Sequence, residues 1–304
     1  MTDLKIYYLR RVKQGQLKIA IWAVLIFAAY STIAWRINSA APLAFCVATW
    51  IVLILFHLRF NLRFYRRLKM VDKPFPLAWI AILKKHSLFY KKLNSDEKTL
   101  FNQRVSFFLS EKKIEGIDTT VDDTTRLLVA ASAIIPTFAF PFFEYPNIHE
   151  VLIYPNSFDT EFQTEPFGEN DQTIIGIVGD RYMNNSVVLS KPDLLNGFNG
   201  TGNKQNVGIH EFVHLLDKAD GLVDGVPELL LDNAYVLPWL QIIKKEMQRI
   251  ESGRSDINPY GMTNNAEFLS VVSEYFFNNP HEFHQKHPEL YEYLASIFHQ
   301  QPDK

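Results

Sequence analysis

Residues His210-Glu211-Phe212-Val213-His214 have the composition and spacing of a catalytic metal site. On a helix, residues i and i+4 lie one turn apart on the same face, so two imidazoles at this spacing can bind one Zn²⁺ ion. The glutamate between them can take a proton from a water molecule at such a site. The pattern therefore predicts His210 and His214 as metal ligands and Glu211 as a general base. The alternative interpretation is a structural histidine pair on a surface helix.

A catalytic zinc site uses a third protein ligand and keeps one position open. No third histidine follows His214 at short spacing, because the next residues are Leu-Leu-Asp-Lys-Ala-Asp-Gly. A glutamate from a separate helix is the other common solution, and Glu267 and Glu274 are the two candidates. Residue types and spacing leave both open. Asp217, one turn beyond His214, could accept a proton from a ligand imidazole or could be a solvated residue of the helix face.

The elements that would position these residues follow an α+β pattern, with strands before a mostly helical C-terminal half. Short β-branched runs bounded by Pro, Gly, Asn and Asp predict strands at 151–154, 173–178 and 186–189. Apolar spacing and capping residues predict a helix that begins at Asn94 and ends before Gly116. A second helix is predicted to follow the Gly/Asn-rich loop 196–206 and to continue through Leu216. Further helices are predicted at 238–251, 266–277 and 290–299. Pro238 suits the first position of its helix.

Two segments allow a more specific structural interpretation. The uncharged run 127–143 contains two prolines and lacks flanking basic clusters, so it predicts a buried helix followed by a loop. The strand at 186–189 could pair with an extended peptide if it formed the edge of the sheet beside the cleft, and an internal strand is the alternative.

Charge divides the chain unevenly. Residues 1–74 carry twelve basic and two acidic side chains, whereas residues 75–304 carry 19 basic and 31 acidic ones. Within the first part, residues 19–35 contain no charge, and residues 37–58 contain only His57 as a titratable group. A bilayer core of ~30 Å needs roughly 17–25 apolar residues per helix. Residues 1–74 are therefore predicted to form a two-span transmembrane hairpin that contacts the membrane through residues 19–58, followed by a domain over 75–304.

Basic residues flank both predicted spans on the same side, and only Arg36 lies between them. The positive-inside bias therefore places both ends of the chain in the cytoplasm, with the second domain. Two alternatives are a cleaved signal peptide ending near residues 39–41 and a pair of buried helices in a soluble fold. A signal peptide leaves the second run unexplained, and a soluble core does not explain the absence of acidic residues from 4 to 71.

Several blocks of sequence in a fixed order resemble the Mlc titration factor A family of bacterial zinc-dependent peptidases. The blocks are VLIYP, VVLS, HEFVHLLDKADGLVDGVP and NPYGMTNNAEFLSVVSEYFFNNP, and the similarity covers about residues 85–300. The resemblance implies a zincin-like, gluzincin-type domain in which one Zn²⁺ per chain is held by His210, His214 and Glu267. It further implies that Glu211 is the base and that Tyr260, seven residues before Glu267, assists catalysis. The alternative for Tyr260 is a half-buried side chain in the turn after Pro259.

The resemblance does not extend to residues 1–74, and the membrane hairpin is a departure from the soluble member of the family. The main hypothesis is therefore a zinc metallopeptidase anchored in the bacterial inner membrane, with its catalytic domain in the cytoplasm and a peptide or protein as substrate. The family includes a member that titrates a transcriptional repressor. The alternative is therefore a binding protein that sequesters a transcriptional regulator, with weak or no peptidase activity. A third interpretation, a zinc-stabilised structural domain, is weakened by Glu211 and by the open metal position.

Other function classes find little support in the sequence. A single cysteine, Cys46, excludes an intramolecular disulfide framework. The chain has no Walker-type Gly-Lys loop or dinucleotide-binding fingerprint, and its basic clusters flank the predicted spans, so nucleic acid is not an expected partner. His281, His284 and His287 lack the i, i+4 spacing of a ligand pair and predict a solvated helix start, while the pair His149-Glu150 precedes a strand.

Overall fold

The structure is a computed structural model that describes residues 3–37, 41–145, 148–157, 176–178, 186–200, 204–228, 230–231 and 233–303. The chain folds as two units, Met1–Pro74 and Phe75–Lys304.

The first unit consists of two long helices, α1 (Asp3–Ile37) and α2 (Ala41–Val71). Hydrogen bonds join them along their length: Arg67 Nη1 donates to Tyr8 OH at 2.9 Å, Gln16 Nε2 donates to Tyr65 OH at 3.4 Å, and Tyr30 OH lies 3.5 Å from Thr49 Oγ1. The partners run in opposite directions along the sequence, so the two helices are antiparallel.

The two helices differ in how well they meet the requirements of a membrane span. Helix α1 contains an 18-residue stretch of mean hydropathy 1.9, none of which is buried within the chain. In α2, the pieces Phe45–Arg59 and Asn61–Val71 are bent by 49° and reach the length of a span only together. The described residues thus provide one helix long and apolar enough to cross a membrane, or two if the bent pair is one span. The two-span arrangement stays a prediction.

The second unit contains a four-stranded sheet of order β1-β2-β4-β3. Its strands are β1 (Lys113–Gly116), β2 (Glu150–Tyr154), β3 (Gly176–Val178) and β4 (Ser186–Ser190). Strands β1, β2 and β4 are parallel, and β3 is antiparallel to β4. Strand β1 was not anticipated, because four residues without a β-branched run carry no clear strand signal.

Strand β4 is an internal strand, which is the alternative stated for residues 186–189, so the edge that peptide pairing requires is not present there. It pairs with β2 on one side and with β3 on the other, and all five of its residues are buried. Burial of both faces is typical of a strand within a parallel sheet that is covered on both sides. Among the described strands, β3 forms the edge next to β4.

Ten helices of the second unit surround this sheet within the described residues. They are α3 (Leu77–His86), α4 (Leu88–Lys92), α5 (Ser95–Glu111), α6 (Asp123–Ile134), α7 (Lys191–Gly197), α8 (Val207–Asp217), α9 (Asn233–Glu251), α10 (Asn265–Asn278), α11 (Pro280–Lys286) and α12 (Pro288–Phe298). The result is a mostly helical α+β fold.

Local capping accounts for several of these boundaries. Asn94 caps α5, as the sequence predicts, and the structure shows that it does so in a capping box with Glu97. Helix α6 is almost wholly buried and ends at Ile134, which confirms a buried helix in the run 127–143. Helix α9 begins five residues before Pro238, so the proline lies inside the helix and not at its first position. The short helix α7, capped by Ser190, was not predicted.

Helix α8, which carries the histidine pair, lies in the core. Every residue of α8 except His214 is buried. The helix approaches α6 closely, because a Cβ atom on Gly208 would lie 2.1 Å from Ser132 Oγ. On another side, the ring of Phe212 packs against Phe108 and Tyr145, with centroids 5.8 and 5.2 Å away. Close packing on several sides leaves α8 little freedom to shift or rotate.

Candidate metal centre

Three side chains from two helices converge on one point. His210 and His214 extend from α8, and Glu267 extends from the first turn of α10. His210 Nε2 lies 3.1 Å from His214 Nε2 and 3.0 Å from Glu267 Oε2, and His214 Nε2 lies 3.3 Å from that same oxygen. Within the described parts of the chain, this is the one group of three His, Cys, Asp or Glu residues whose ligand atoms all lie within 4.8 Å of one another.

The spacing and chemistry of these atoms fit a small divalent cation. Imidazole nitrogen and carboxylate oxygen are typical zinc ligands, and ligands at ~2.0–2.1 Å from a tetrahedral ion lie roughly 3.3 Å from each other. The observed separations of 3.0, 3.1 and 3.3 Å are close to that value. The sequence left the choice between Glu267 and Glu274 open, and these distances favour Glu267. Its role as a ligand stays a prediction.

Asparagine caps place both helices of the site. The side chain of Asn206 accepts a hydrogen bond from Ile209 N at 3.1 Å and begins α8. The side chain of Asn264 accepts one from Glu267 N at 2.9 Å and begins α10. The cap fixes the backbone of Glu267 in the first turn of α10, and the side chain of Glu267 reaches the two histidines from there. Neither cap is among the residues predicted from the sequence, although an asparagine before an apolar helix is a recognisable signal.

Glu274 lies on the far side of the first histidine. Its Oε1 is 2.7 Å from His210 Nδ1, and its Oε2 accepts a hydrogen bond from Asn206 N. One carboxylate thus turns the His210 ring so that Nε2 faces the centre and also holds the start of α8. Carboxylates in this position orient metal-binding imidazoles in many proteins. Glu274 is therefore placed to position a ligand and does not join the three convergent atoms.

The groups around the centre shift the pKa values of His210 and Glu267 in opposite directions. Burial alone would lower the pKa of His210, but the charge of Glu274 and the hydrogen bonds to Glu267 and Glu274 raise this pKa well above its ordinary value. Burial alone would raise the pKa of Glu267. The hydrogen bonds from His210 and His214 outweigh burial and lower this pKa to about 2. Glu267 is therefore an ionised carboxylate at neutral pH, which is the form that binds a cation.

Glu211 is buried between the two histidines, with 4% of its surface exposed. Burial raises the pKa of Glu211, while the charges of His210 and His214 lower it. A raised pKa suits a carboxylate that must accept a proton near neutral pH.

Tyr260 lies at the rim of the centre. It belongs to a 3₁₀ turn, Pro259–Met262, in which Tyr260 N donates to Asn258 Oδ1 at 3.0 Å. Its ring centroid is 6.1 Å from that of His210, and the side chain is exposed. Burial of part of the ring and the charges of Glu267 and Glu211 raise the pKa of Tyr260. The phenol therefore stays protonated and can donate a hydrogen bond to a bound molecule.

Asp217 is not a solvated residue of the helix face, because only 1% of it is exposed. Its Oδ2 accepts a hydrogen bond from Gly225 N at 2.9 Å, since the loop after α8 folds back over the end of the helix. Burial raises the pKa of Asp217 to about 6.

The C-terminal histidines are only partly as expected. His281 is exposed, and His284 stacks on Tyr291 with ring centroids 4.0 Å apart. His287, predicted to be solvated, is buried, and its Nε2 lies 2.7 Å from Asp256 Oδ1. The prediction fails for His287 because this residue links α11 to α12 in the core. Within the described chain, none of the three belongs to a metal-binding cluster.

The chain is similar to a family of known proteins. The model of the family described as Glucose-regulated metallo-peptidase M90 matches residues 61–299. An uncharacterized protein, slr2042, of Synechocystis sp. is 31% identical over 248 residues, covering 78% of this chain and 89% of that protein. Mlc titration factor A of Escherichia fergusonii and that of Klebsiella pneumoniae are each 28% identical over 223 residues, covering 69% of this chain and 82% of theirs. The chain therefore belongs to the M90 family of glucose-regulated metallo-peptidases.

Proposed function

We propose that this protein is a membrane-anchored zinc metallopeptidase that hydrolyses peptide bonds. The observation that carries the proposal is the convergence of His210 Nε2, His214 Nε2 and Glu267 Oε2 from two helices, with Glu211 buried beside them. Membership of a metallopeptidase family supports it. A purely structural zinc site has no need for a general base next to the metal.

Each residue of the centre has a distinct task in this proposal. His210, His214 and Glu267 would hold one Zn²⁺ ion per chain, and a bound zinc ion would supply Lewis-acid chemistry toward the scissile carbonyl and water. Glu211 accepts a proton from the attacking water and passes it to the leaving amine. Tyr260 donates a hydrogen bond to the carbonyl oxygen as negative charge develops there, a contribution on the order of 2.7–4 kcal/mol for donors of this kind. Glu274 holds the ring of His210.

We expect the purified full-length protein to contain one zinc ion per chain and to cleave members of a peptide library. Removing zinc with a chelator should abolish cleavage, and adding zinc back should restore it, because the metal would be the Lewis acid of the reaction. Elemental analysis and mass spectrometry of the peptide products measure both quantities. Cleavage that persists after zinc removal has been verified would refute the proposed chemistry.

The proposal places residues 1–74 in the bacterial inner membrane as a two-span hairpin and residues 75–304 in the cytoplasm. Support comes from the exposed apolar stretch of α1, the antiparallel pairing of α1 with α2, and the basic residues on one side of both apolar runs. An even number of spans returns the chain to the side on which it started.

A reporter fused after Lys304 should therefore report a cytoplasmic C-terminus. We expect a fluorescent protein at this position to fluoresce and alkaline phosphatase to be inactive, since the phosphatase requires an oxidising compartment for its disulfides. Phosphatase fused after Ile37, beyond one span only, is the matched control and should be active. Active phosphatase after Lys304 would rule out the hairpin topology.

A second candidate function is sequestration of a transcriptional regulator. It is favoured by relatives named Mlc titration factor A and by a concentration of exposed apolar side chains between residues 222 and 262. These are Leu222, Val223, Tyr235, Leu237, Tyr260 and Met262. Exposed apolar surface often marks a site of protein association. Binding of a regulator and peptide hydrolysis can coexist, and only hydrolysis requires Glu211.

A further inference from the structure

The end of α8 contains a buried donor and a buried acceptor that are not satisfied by other groups. His214 Nδ1 and Asp217 Oδ1 are both buried, and neither makes a hydrogen bond within the described residues. The two residues are three apart on one helix, so their side chains lie on neighbouring positions of the same face. Buried polar atoms without partners are rare in native proteins and call for an explanation.

The geometry of the centre determines which nitrogen of His214 carries hydrogen in a metal-bound form. His214 Nε2 faces the other two convergent atoms, at 3.1 Å from His210 Nε2 and 3.3 Å from Glu267 Oε2. An imidazole that binds a cation through Nε2 carries its hydrogen on Nδ1. His214 Nδ1 is thus a buried donor that requires an acceptor.

Asp217 is the acceptor that the fold supplies nearby. It is almost completely buried, and its other oxygen, Oδ2, is already occupied by Gly225 N at 2.9 Å. Its Oδ1 is left to accept a hydrogen bond. The neighbouring histidine shows the same solution in the same site, since His210 Nδ1 lies 2.7 Å from a carboxylate oxygen of Glu274.

We propose that Asp217 is the positioning residue for the second histidine ligand. Its Oδ1 accepts the Nδ1 hydrogen of His214, directly or through one water molecule, and so holds Nε2 toward the metal. This inference rests on the proposed function, because it requires His214 to be a metal ligand.

The same carboxylate also connects α8 to the helix that supplies the third ligand. Gly225, which donates to Asp217, has φ +77° and packs so closely on α10 that a Cβ atom would lie 2.3 Å from Asn265 O. Asn265 is the first residue of α10 and stands two residues before Glu267. Asp217 Oδ2 therefore holds the Gly225 loop, which packs on the start of α10, while its Oδ1 is available to His214.

The test is the zinc affinity of the full-length Asp217→Asn protein, measured by competition with a chelator. Asparagine has nearly the same shape, but its side chain has one oxygen and one NH₂ group. It can therefore accept from His214 Nδ1 or from Gly225 N at the two positions, but not from both. Loss of a carboxylate behind a ligand histidine typically weakens metal binding by roughly 10–100-fold. We expect a loss of that size, together with a changed visible absorption spectrum of the cobalt-substituted protein, which reports the ligand geometry directly.

Asp224→Asn is the matched control. It removes the same charge from the loop that follows α8, where Asp224 Oδ1 accepts a hydrogen bond from Val226 N at 3.0 Å. Zinc affinity and the cobalt spectrum should both equal those of the wild type. Equal losses in the two variants would show a general effect of charge and overturn the proposal.

A purely structural role of Asp217 predicts a different result. The metal-free Asp217→Asn protein would then unfold at a lower temperature, but its zinc affinity and cobalt spectrum would match the wild type, and the proposal would be wrong. If this variant does not fold, NMR of the zinc-bound wild type with labelled histidine decides the question. A His214 Nδ1 hydrogen protected from solvent exchange supports the proposal, and a freely exchanging one refutes it. Failure of the wild type to bind zinc would instead reject the proposed function.

Discussion

Replacing Glu211 with glutamine should leave the zinc content unchanged and reduce peptide hydrolysis by roughly 10²–10⁴-fold, the usual contribution of a general acid–base group. Glu211 is not among the three convergent atoms, so its loss removes no ligand. Glutamine has nearly the same size, and it fits the buried position without opening a cavity. It cannot take a proton from water at neutral pH, and the chemical step should therefore slow.

The measurement is kcat on a peptide identified from the library, normalised to the zinc content of each preparation. Glu251→Gln makes the same chemical change at an exposed position near the end of α9 and should retain wild-type turnover. Equal turnover of the Glu211→Gln and wild-type proteins at equal zinc content would remove Glu211 from the mechanism.

The second large effect is expected at the ligands. His210→Ala, His214→Ala and Glu267→Ala should each lower the zinc content strongly, because each leaves only two of the three protein ligands. Glu274→Ala should largely retain zinc. Its carboxylate contacts His210 Nδ1 at 2.7 Å, on the side of the ring away from the convergent atoms.

Elemental analysis of the purified, dialysed variants compares these effects, and circular dichroism shows whether each variant is folded. The comparison of the two glutamates is the informative one, since both carboxylates contact His210 and both are removed by the same substitution. Zinc loss in the Glu274 variant, with zinc retained in the Glu267 variant, would reverse the assignment of the third ligand.

The sequence by itself was sufficient wherever the signal is local. Two histidines four residues apart predict a shared helix face, and α8 places His210 and His214 on one. The cap at the start of α5 involves residues close in sequence, and Asn94 caps this helix as predicted. The uncharged run 127–143, which includes most of α6, and the excess of basic residues before residue 75 are properties of composition, which folding does not change.

The position of a residue relative to distant elements was harder to predict. Strand β1 and the internal place of β4 depend on pairing between segments that are far apart in sequence, and short strands carry little information about their neighbours. Asp217 and His287 are polar residues that look solvated in sequence. Both are buried because another part of the chain covers them, the loop at Gly225 in one case and the segment around Asp256 in the other.

The third ligand shows the same division most clearly. Glu267 and Glu274 are seven residues apart, which is almost two full turns, so both lie on the same face of α10 and no periodic pattern separates them. They lie ~10 Å apart along the helix axis, at 1.5 Å per residue. The packing of α10 against α8 decides which carboxylate meets the Nε2 atoms and which one meets His210 Nδ1. The sequence determined the chemistry of the candidate ligands, and the tertiary structure decided which of them converge, because relative helix position is a non-local property of the core.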